Sequence, residues 1–161
     1  MAESVALASG DKAERYRELA PQVAALVADE DDLIANLANV CAALRECLPI
    51  ASWIGFYVRR GDELVLGPFQ GKVACVRIAI GRGVCGTAAA RKQTVVVDDV
   101  ERFPGHIACD AGSRSEIVVP VVRDGELVAV LDVDSYELAA FDARDARGLE
   151  DIASIVAKLR W

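Results

Sequence analysis

The sequence predicts an α+β fold: an antiparallel sheet with N- and C-terminal helices on one face, and with loops and a short helix over the other. Three observations lead to this prediction. Helical periodicity occurs near both ends of the chain, alternating patterns typical of strands fill the middle, and short turns join two pairs of these strands. Strands that are grouped together and bracketed by helices are typical of an antiparallel sheet that buries one face against helices.

Residues 11–48 are predicted to form two helices, after a loose start over residues 1–10. Apolar residues of the first helix recur at three- and four-residue spacing. Pro21 lies within this pattern, so we expect a kink or a break there. An acidic cluster at residues 29–32 opens the second helix, where negative charge suits the helix dipole, and Pro49 ends it.

The sheet is predicted within residues 52–134. Short turns at Gly61-Asp62 and Arg123-Asp124-Gly125 each join two strands into a hairpin. Between the hairpins, the pattern predicts a third strand over residues 72–80, a short helix over residues 84–91, a strand over residues 94–97 and a polar loop over residues 98–114. A final helix is predicted over residues 142–159, with Asp142 as its cap.

Length and charge exclude several classes of protein. The 161 residues, 53% of them hydrophobic, suit a single domain with one sizeable core. The net charge is −7 and no basic run is longer than Arg59-Arg60, so binding to nucleic acid or to an anionic membrane surface is not expected. No apolar run is long enough to span a membrane and the first residues do not resemble a signal peptide, so we expect a cytoplasmic location.

The five cysteines divide into two groups. Cys41 and Cys47 lie on or beside an apolar helical stripe and are interpreted as small hydrophobic residues. Cys75, Cys85 and Cys109 lie near glycines or in polar segments. Cys85 is in the first turn of the short helix, where the dipole favours a thiolate, and Cys109 is in the long polar loop. In a reducing compartment all five are expected to be thiols at rest.

The only histidine of the chain, His106, lies three residues before Cys109. Together with Cys75 and Cys85, these two residues form one alternative, a Cys3His zinc site. The spacing is atypical, because structural zinc sites usually present their ligands as close pairs and here only His106 and Cys109 are close in sequence. Thiol redox chemistry is therefore favoured over zinc binding, and His106 is interpreted mainly as a solvated loop side chain.

Acidic and aromatic side chains are predicted to gather on the sheet. Asp132 and Asp134 are two residues apart on an apolar strand and so point to the same side, and Glu116 opens the partner strand. Such carboxylates are costly to bury unless a cation or a hydrogen bond accompanies them. An exposed strand end is the alternative for Asp134 alone. Trp53 and Tyr57 share one face of the first strand, where they suit an apolar group or a cation.

Four motifs resemble the free methionine-(R)-sulfoxide reductases, which are single GAF domains. The motifs are LGPFQG at residues 66–71, GRGVCGT at 81–87, GHIACD at 105–110 and LDVDS at 131–135. The resemblance runs from about Trp53 to the last helix. It implies a GAF-like fold over residues 1–161 and an enzyme without metal, flavin or nicotinamide, reduced by an external dithiol, thioredoxin. It is also compatible with a homodimer.

The resemblance also implies roles for individual residues. Cys109 matches the catalytic cysteine of the family, Cys85 its resolving cysteine and Cys75 an alternative resolver. The positions that line the substrate pocket in the family are occupied here by Trp53, Tyr57, Glu116, Asp132 and Asp134.

These residue types can perform the implied reaction. The thiolate of Cys109 attacks the sulfoxide sulfur, while a protonated carboxyl group, from Glu116 or one of the aspartates, assists the oxygen. Methionine leaves and Cys109 becomes a sulfenic acid, which a nearby thiol converts to a disulfide. Exchange with a dithiol restores the enzyme.

The acidic cluster also suits the ammonium group of a free amino acid, which a methionine inside a polypeptide lacks. Preference for the R epimer follows from the resemblance alone. The remaining alternative is a GAF domain that is not an enzyme and senses a small molecule or the redox state. The three loop cysteines, together with the acids on the sheet, favour the enzyme.

Overall fold

A computed structural model of the chain describes residues 4–7 and 10–161. The loose start predicted over residues 1–10 therefore lies partly outside the described residues. The order of the elements is α1 (Lys12–Leu26), α2 (Leu33–Cys47), β1 (Trp53–Arg60), β2 (Glu63–Gln70), β3 (Arg77–Ala79), α3 (Gly83–Arg91), β4 (Val95–Val97), a 3-10 turn (Val100–Arg102), β5 (Ser115–Arg123), β6 (Glu126–Ser135) and α4 (Ala143–Val156). No helix in these ranges is both long and apolar enough to cross a bilayer.

Each of the three long helices begins at an aspartate whose side chain accepts a hydrogen bond from a backbone N–H of the first turn. The aspartates are Asp11 for α1, Asp32 for α2 and Asp142 for α4. We expected a kink or a break at Pro21; helix α1 continues through this residue, so a break is wrong. A proline removes only one internal hydrogen bond, and apolar residues on both sides of it, among them Leu19 and Val23, are buried in the core.

Helices α1 and α4 are joined by a buried polar contact. The hydroxyl of Tyr16 donates to Asp145 Oδ1 at 2.9 Å, and Lys12 Nζ donates to Asp145 Oδ2 at 2.6 Å. The same carboxylate accepts from the backbone N–H of Asp142, so one side chain caps α4 and also binds α1. This contact holds the two helices together on the side of the sheet away from the cavity described below.

The six strands form one antiparallel sheet in the order β3-β2-β1-β6-β5-β4. The two predicted hairpins are β1–β2 and β5–β6. In the second hairpin Asp124 and Gly125 both have positive φ, 51° and 79°, as the tight turn that matches strand twist requires. The centre of the sheet is the pairing of β1 with β6, which are far apart in sequence.

The sheet buries both faces, and the predicted α+β arrangement is confirmed. Ile54 and Phe56 of β1 face a core formed with α1, α2 and α4. Trp53 and Tyr57, which alternate with them, face a smaller core formed with α3 and the loops. The second face is therefore covered by a short helix and irregular chain, and the segments that carry the three loop cysteines lie on this side.

The third strand is much shorter than predicted. Residues 72–76, expected to belong to a strand over residues 72–80, are irregular, and β3 contains only Arg77–Ala79. Two side chains of β1 bind the backbone carbonyls of this segment: Trp53 Nε1 donates to Lys72 O at 3.0 Å, and the Tyr57 hydroxyl donates to Cys75 O at 2.9 Å. These side chains thus hold the segment over the sheet.

Candidate active site

A small cavity of about 40 Å³ lies on the sheet face that carries α3. Seven of the eight residues predicted for the site line it, namely Trp53, Tyr57, Cys85, Cys109, Glu116, Asp132 and Asp134. The eighth, Cys75, adjoins the cavity because it is bonded to Cys109. The structure therefore brings together residues from β1, α3, the 98–114 loop, β5 and β6.

Strand register places the three acids next to one another. Asp134 of β6 lies between Trp53 of β1 and Glu116 of β5, each directly opposite it in the neighbouring strand. Asp132, two residues earlier on β6, faces the same side and is opposite Gly55 of β1. Side chains opposite one another on adjacent strands have Cβ atoms about 5 Å apart, so the carboxyl groups are crowded.

Burial and mutual repulsion keep protons on this cluster. Glu116 and Asp132 are each only 6% exposed. Burial raises the pKa of Glu116 well above its ordinary value, and the charges of Asp132 and Asp134 raise it further. Burial and the charge of Asp132 raise the pKa of Asp134 well above its ordinary value. Burial raises the pKa of Asp132 to about 6. Asp132 is therefore the acid that ionises most readily, and the raised pKa of Glu116 favours its protonated form.

One oxygen of this cluster lacks a partner. Among the described residues, Asp132 Oδ1 is buried and accepts no hydrogen bond. A buried carboxylate oxygen in this state is costly unless a ligand supplies a donor or a positive charge. The cavity is thus prepared for a cationic or hydrogen-bonding group of a bound molecule.

The aromatic wall is larger than predicted. The ring of Trp53 stacks on Tyr57 at 5.9 Å and on Phe69 at 5.3 Å between centroids. Gly55 makes this possible, because a Cβ there would lie 2.4 Å from the Trp53 ring. Sequence reasoning missed Gly55 and Phe69, although a glycine inside an apolar strand is itself a signal of close approach.

The disulfide joins Cys75 to Cys109, with 34 residues of sequence separation and an S–S distance of 2.04 Å. The expectation that all five cysteines are thiols is therefore wrong for this structure. Cys85, the expected partner of Cys109, is a free thiol whose Sγ lies 3.9 Å from Glu116 Oε1.

The predicted thiolate character of Cys85 is also wrong. Burial raises its pKa well above the ordinary value, and the negative charges of Asp132 and Glu116 add to this effect. The dipole of the short helix is outweighed by these neighbours. Cys41 and Cys47 are buried in the helical core, as expected of hydrophobic residues, and burial raises their pKa values to about 12 and about 11.

His106 is not the solvated side chain that the sequence indicated. Its side chain is 17% exposed, and its Nε2 lies 3.7 Å from Glu116 Oε2. Burial lowers its pKa, so the neutral imidazole is the favoured form. The Cys3His zinc alternative does not fit this structure, because the sulfurs of Cys75 and Cys109 are bonded to each other and are not available as thiolate ligands.

The 98–114 loop is fastened across the cavity by a side-chain contact that the sequence did not predict. Asp110, the residue after Cys109, accepts hydrogen bonds from the Tyr136 hydroxyl at 2.7 Å and from the Gly112 backbone N–H at 2.9 Å. Lys72 lies 3.7 Å from Asp110 and 5.2 Å above the Tyr136 ring. This cluster links the segment that carries Cys75 to the loop that carries Cys109.

The N-terminus of α3 also faces the cavity, which Arg82, Gly83 and Val84 line. The first backbone N–H groups of a helix have no partner inside the helix and carry partial positive charge. Arg82 precedes the helix without a side-chain hydrogen bond that would cap it. The cavity therefore has an acidic side on β5 and β6 and, at α3, a side suited to an anion.

Comparison with known proteins agrees with this arrangement. Residues 27–159 match the family model described as GAF domain. The chain is 49% identical over 149 residues to the free methionine-R-sulfoxide reductase of Escherichia coli, covering 92% of this chain and 90% of the relative. It is 50% identical over 157 residues to GAF domain-containing protein A of Dictyostelium discoideum, covering 97% and 99%.

A solved structure shows the same similarity in three dimensions. The free methionine-R-sulfoxide reductase of Neisseria meningitidis, determined in complex with its substrate, superimposes with a TM-score of 0.94 and 52% sequence identity. The superposition covers 98% of this chain and 95% of that one. The likeness therefore includes the cavity and the loops around it as well as the sheet and its helices.

Proposed function

The chain belongs to the GAF-domain family and, within it, to the free methionine-R-sulfoxide reductases, and from this we propose that it reduces free L-methionine-(R)-S-oxide to L-methionine. The observation that carries the proposal is the position of Cys109. Its sulfur lies at a cavity lined by a protonated buried acid and is already within bonding distance of a second cysteine. A nucleophile, a proton donor and a resolving thiol are the three groups that the reaction needs.

The first half of the reaction transfers the sulfoxide oxygen to the enzyme. The thiolate of Cys109 attacks the sulfur of the substrate, and the protonated carboxyl of Glu116 donates its proton to the oxygen. The oxygen passes to Cys109 as a sulfenic acid, and methionine leaves with its sulfur reduced. Burial and the charges of Asp132 and Asp134 raise the pKa of Glu116, and this favours the protonated form that a proton donor needs.

Cys75 completes the second half. Its thiolate attacks the sulfenic acid of Cys109, water leaves and the disulfide forms. The observed Cys75–Cys109 bond supports Cys75 as the resolver in preference to Cys85. The buried Cys85 thiol beside two acids is a poor nucleophile, because its pKa is raised. An external dithiol then reduces the disulfide by exchange; thioredoxin is the proposed reductant, and no prosthetic group takes part.

The cavity offers a separate group for each end of a free amino acid. Ionised Asp132, with its unpartnered oxygen, suits the ammonium group. The N-terminus of α3 suits the carboxylate. The stacked ring of Trp53 forms an apolar wall for the methyl group. A methionine within a polypeptide has neither free charged group, so these interactions select the free amino acid.

The cavity of the disulfide-bonded form is small. Its volume of about 40 Å³ holds only about three water molecules. Substrate therefore enters when the disulfide is reduced and the 98–114 loop separates from the Cys75 segment. Reduction by thioredoxin thus both regenerates the thiols and opens the site. We also propose that the chain forms a homodimer and that it is located in the cytoplasm.

The test measures methionine released from free methionine-R-sulfoxide, free methionine-S-sulfoxide and a peptide containing the sulfoxide, each with dithiothreitol. Turnover is expected only with the free R epimer, and equal turnover of the peptide would contradict the proposal. Cys109→Ser should release no methionine even in a single turnover. Cys47→Ser, which alters a cysteine of the helical core, is the matched control and should keep activity.

A second set of variants assigns the resolving thiol. Cys75→Ser should release one methionine per chain and then stop when thioredoxin is the only reductant. Cys85→Ser should continue to turn over with thioredoxin. The opposite pattern would make Cys85 the resolver and would leave the reaction itself in place.

A further inference from the structure

The cavity contains three side chains that could bind a metal ion, a role that they do not have in the proposed reaction. One ligand atom each from Cys85, Glu116 and Asp132 lies within 4.8 Å of the others, and all three residues are buried. The set combines a thiol with two carboxyl groups and is distinct from the Cys3His arrangement considered from the sequence. Its members come from α3, β5 and β6, which are regular elements of the fold.

The spacing is close to that of a metal site. Zinc binds sulfur at about 2.3 Å and carboxylate oxygen at about 2.0 Å, so in a tetrahedral site a sulfur and an oxygen ligand lie about 3.5 Å apart. Cys85 Sγ and Glu116 Oε1 are 3.9 Å apart, about 0.4 Å wider than this spacing. The three ligand atoms lie within 4.8 Å of one another, so the widest pair needs to approach by at most about 1.5 Å to hold the ion.

The electrostatics favour a cation at the same point. Three acids and a thiol face one another, and Asp132 Oδ1 is buried without a partner in the described part of the chain. A bound divalent ion would supply positive charge among these acids and would satisfy the unpartnered oxygen.

We propose that Cys85, Glu116 and Asp132 bind a borderline divalent cation, Zn²⁺, with a fourth position open to water. Coordination removes the proton from the Cys85 thiol and from the Glu116 carboxyl and releases both to solvent. Sulfur as a ligand excludes hard ions such as Mg²⁺ and Ca²⁺. In the proposed function, on which this consequence rests, Asp132 binds the ammonium group and Glu116 donates the proton, so an ion bound to both acts as an inhibitor of that reaction.

The test uses Co²⁺ as a spectroscopic probe and needs no methionine sulfoxide, so its outcome is independent of the proposed function. The full chain carries Cys75→Ser and Cys109→Ser, which removes the disulfide and leaves Cys85 as the thiol at the cavity. Added Co²⁺ should produce a thiolate-to-cobalt charge-transfer band with the visible bands of a tetrahedral ion. Zn²⁺ should displace Co²⁺ and abolish the spectrum, whereas Mg²⁺ should not.

Further substitutions in this background identify the ligands. Cys85→Ala and Cys85→Ser should abolish the charge-transfer band, and Asp132→Asn should weaken Co²⁺ binding at least about tenfold. Cys47→Ala, at a buried cysteine remote from the cavity, is the control and should retain the spectrum. No band in the background protein, a band that survives both substitutions of Cys85, or unchanged affinity in Asp132→Asn would overturn the assignment. Circular dichroism verifies that each variant is folded.

Discussion

Oxidation of Cys75 and Cys109 should stabilise the protein markedly. The two cysteines are separated by 34 residues. In the chain-entropy description, a crosslink that closes a loop of this length raises the free energy of unfolding by about 4 kcal/mol, because it restricts the unfolded chain. For a domain of this size the gain corresponds to an increase of about 8–15 °C in melting temperature.

Urea unfolding of the oxidised and the reduced protein measures this difference directly. Cys75→Ser should unfold at the same urea concentration under both conditions, close to that of the reduced wild type. Cys85→Ser, which leaves the observed disulfide in place, is the matched control and should keep the oxidation-dependent shift. If Cys85→Ser lost the shift and Cys75→Ser retained it, the pairing of the cysteines described here would be refuted.

Three further substitutions test the acids and the loop. Glu116→Gln keeps the shape of the side chain but cannot donate a proton, so kcat for methionine release should fall at least about 100-fold at pH 7. Asp132→Asn should raise the free energy of unfolding by about 1–2 kcal/mol at pH 8, because the raised pKa of Asp132, about 6, means that its ionised form destabilises the folded state. That gain should disappear below about pH 4, where the carboxyl is protonated in both states. Tyr136→Phe removes the hydrogen bond to Asp110 and should slow disulfide formation about two- to fivefold in a quenched single turnover.

Each of these predictions has its own control. Wild-type turnover in Glu116→Gln would exclude Glu116 as the proton donor. Equal urea midpoints for wild type and Asp132→Asn at both pH values would mean that the acid cluster costs no stability. Arg102→Ala disrupts an exposed ion pair with Asp99 in the same loop as Cys109 and should leave the rate of disulfide formation unchanged, unlike Tyr136→Phe.

The strands of the sheet and the shared face of its acids could be predicted from sequence, because both depend on side chains that alternate between the two faces of a strand. The two-residue spacing of Asp132 and Asp134 determines that they share a face, and the Asp124-Gly125 turn brings Glu116 alongside. The family motifs indicated the cysteines that we propose to carry the chemistry. These features need only the period of a strand and the geometry of one hairpin.

The remaining features depend on contacts between distant segments. The cysteine that bonds to Cys109 lies in a segment whose backbone Tyr57 binds at the Cys75 carbonyl, and no sequence pattern reports a hydrogen bond between a side chain and a remote carbonyl. The loss of thiolate character at Cys85 similarly arises from acids on strands far along the chain. The expectation of a Cys85 thiolate was based on the dipole of helix α3, but burial and the nearby acids have the larger effect on the pKa of this thiol.

The central pairing of β1 with β6 has a consequence for how the protein folds. Trp53 and Asp134 are neighbours in the sheet although about half of the chain lies between them. A contact of this separation closes a long loop, so it forms late and contributes to slow folding. A nascent chain that lacks β6 contains Cys75 and the proposed nucleophile Cys109 but neither Asp132 nor Asp134. During synthesis both thiols therefore precede the complete acid cluster of the cavity.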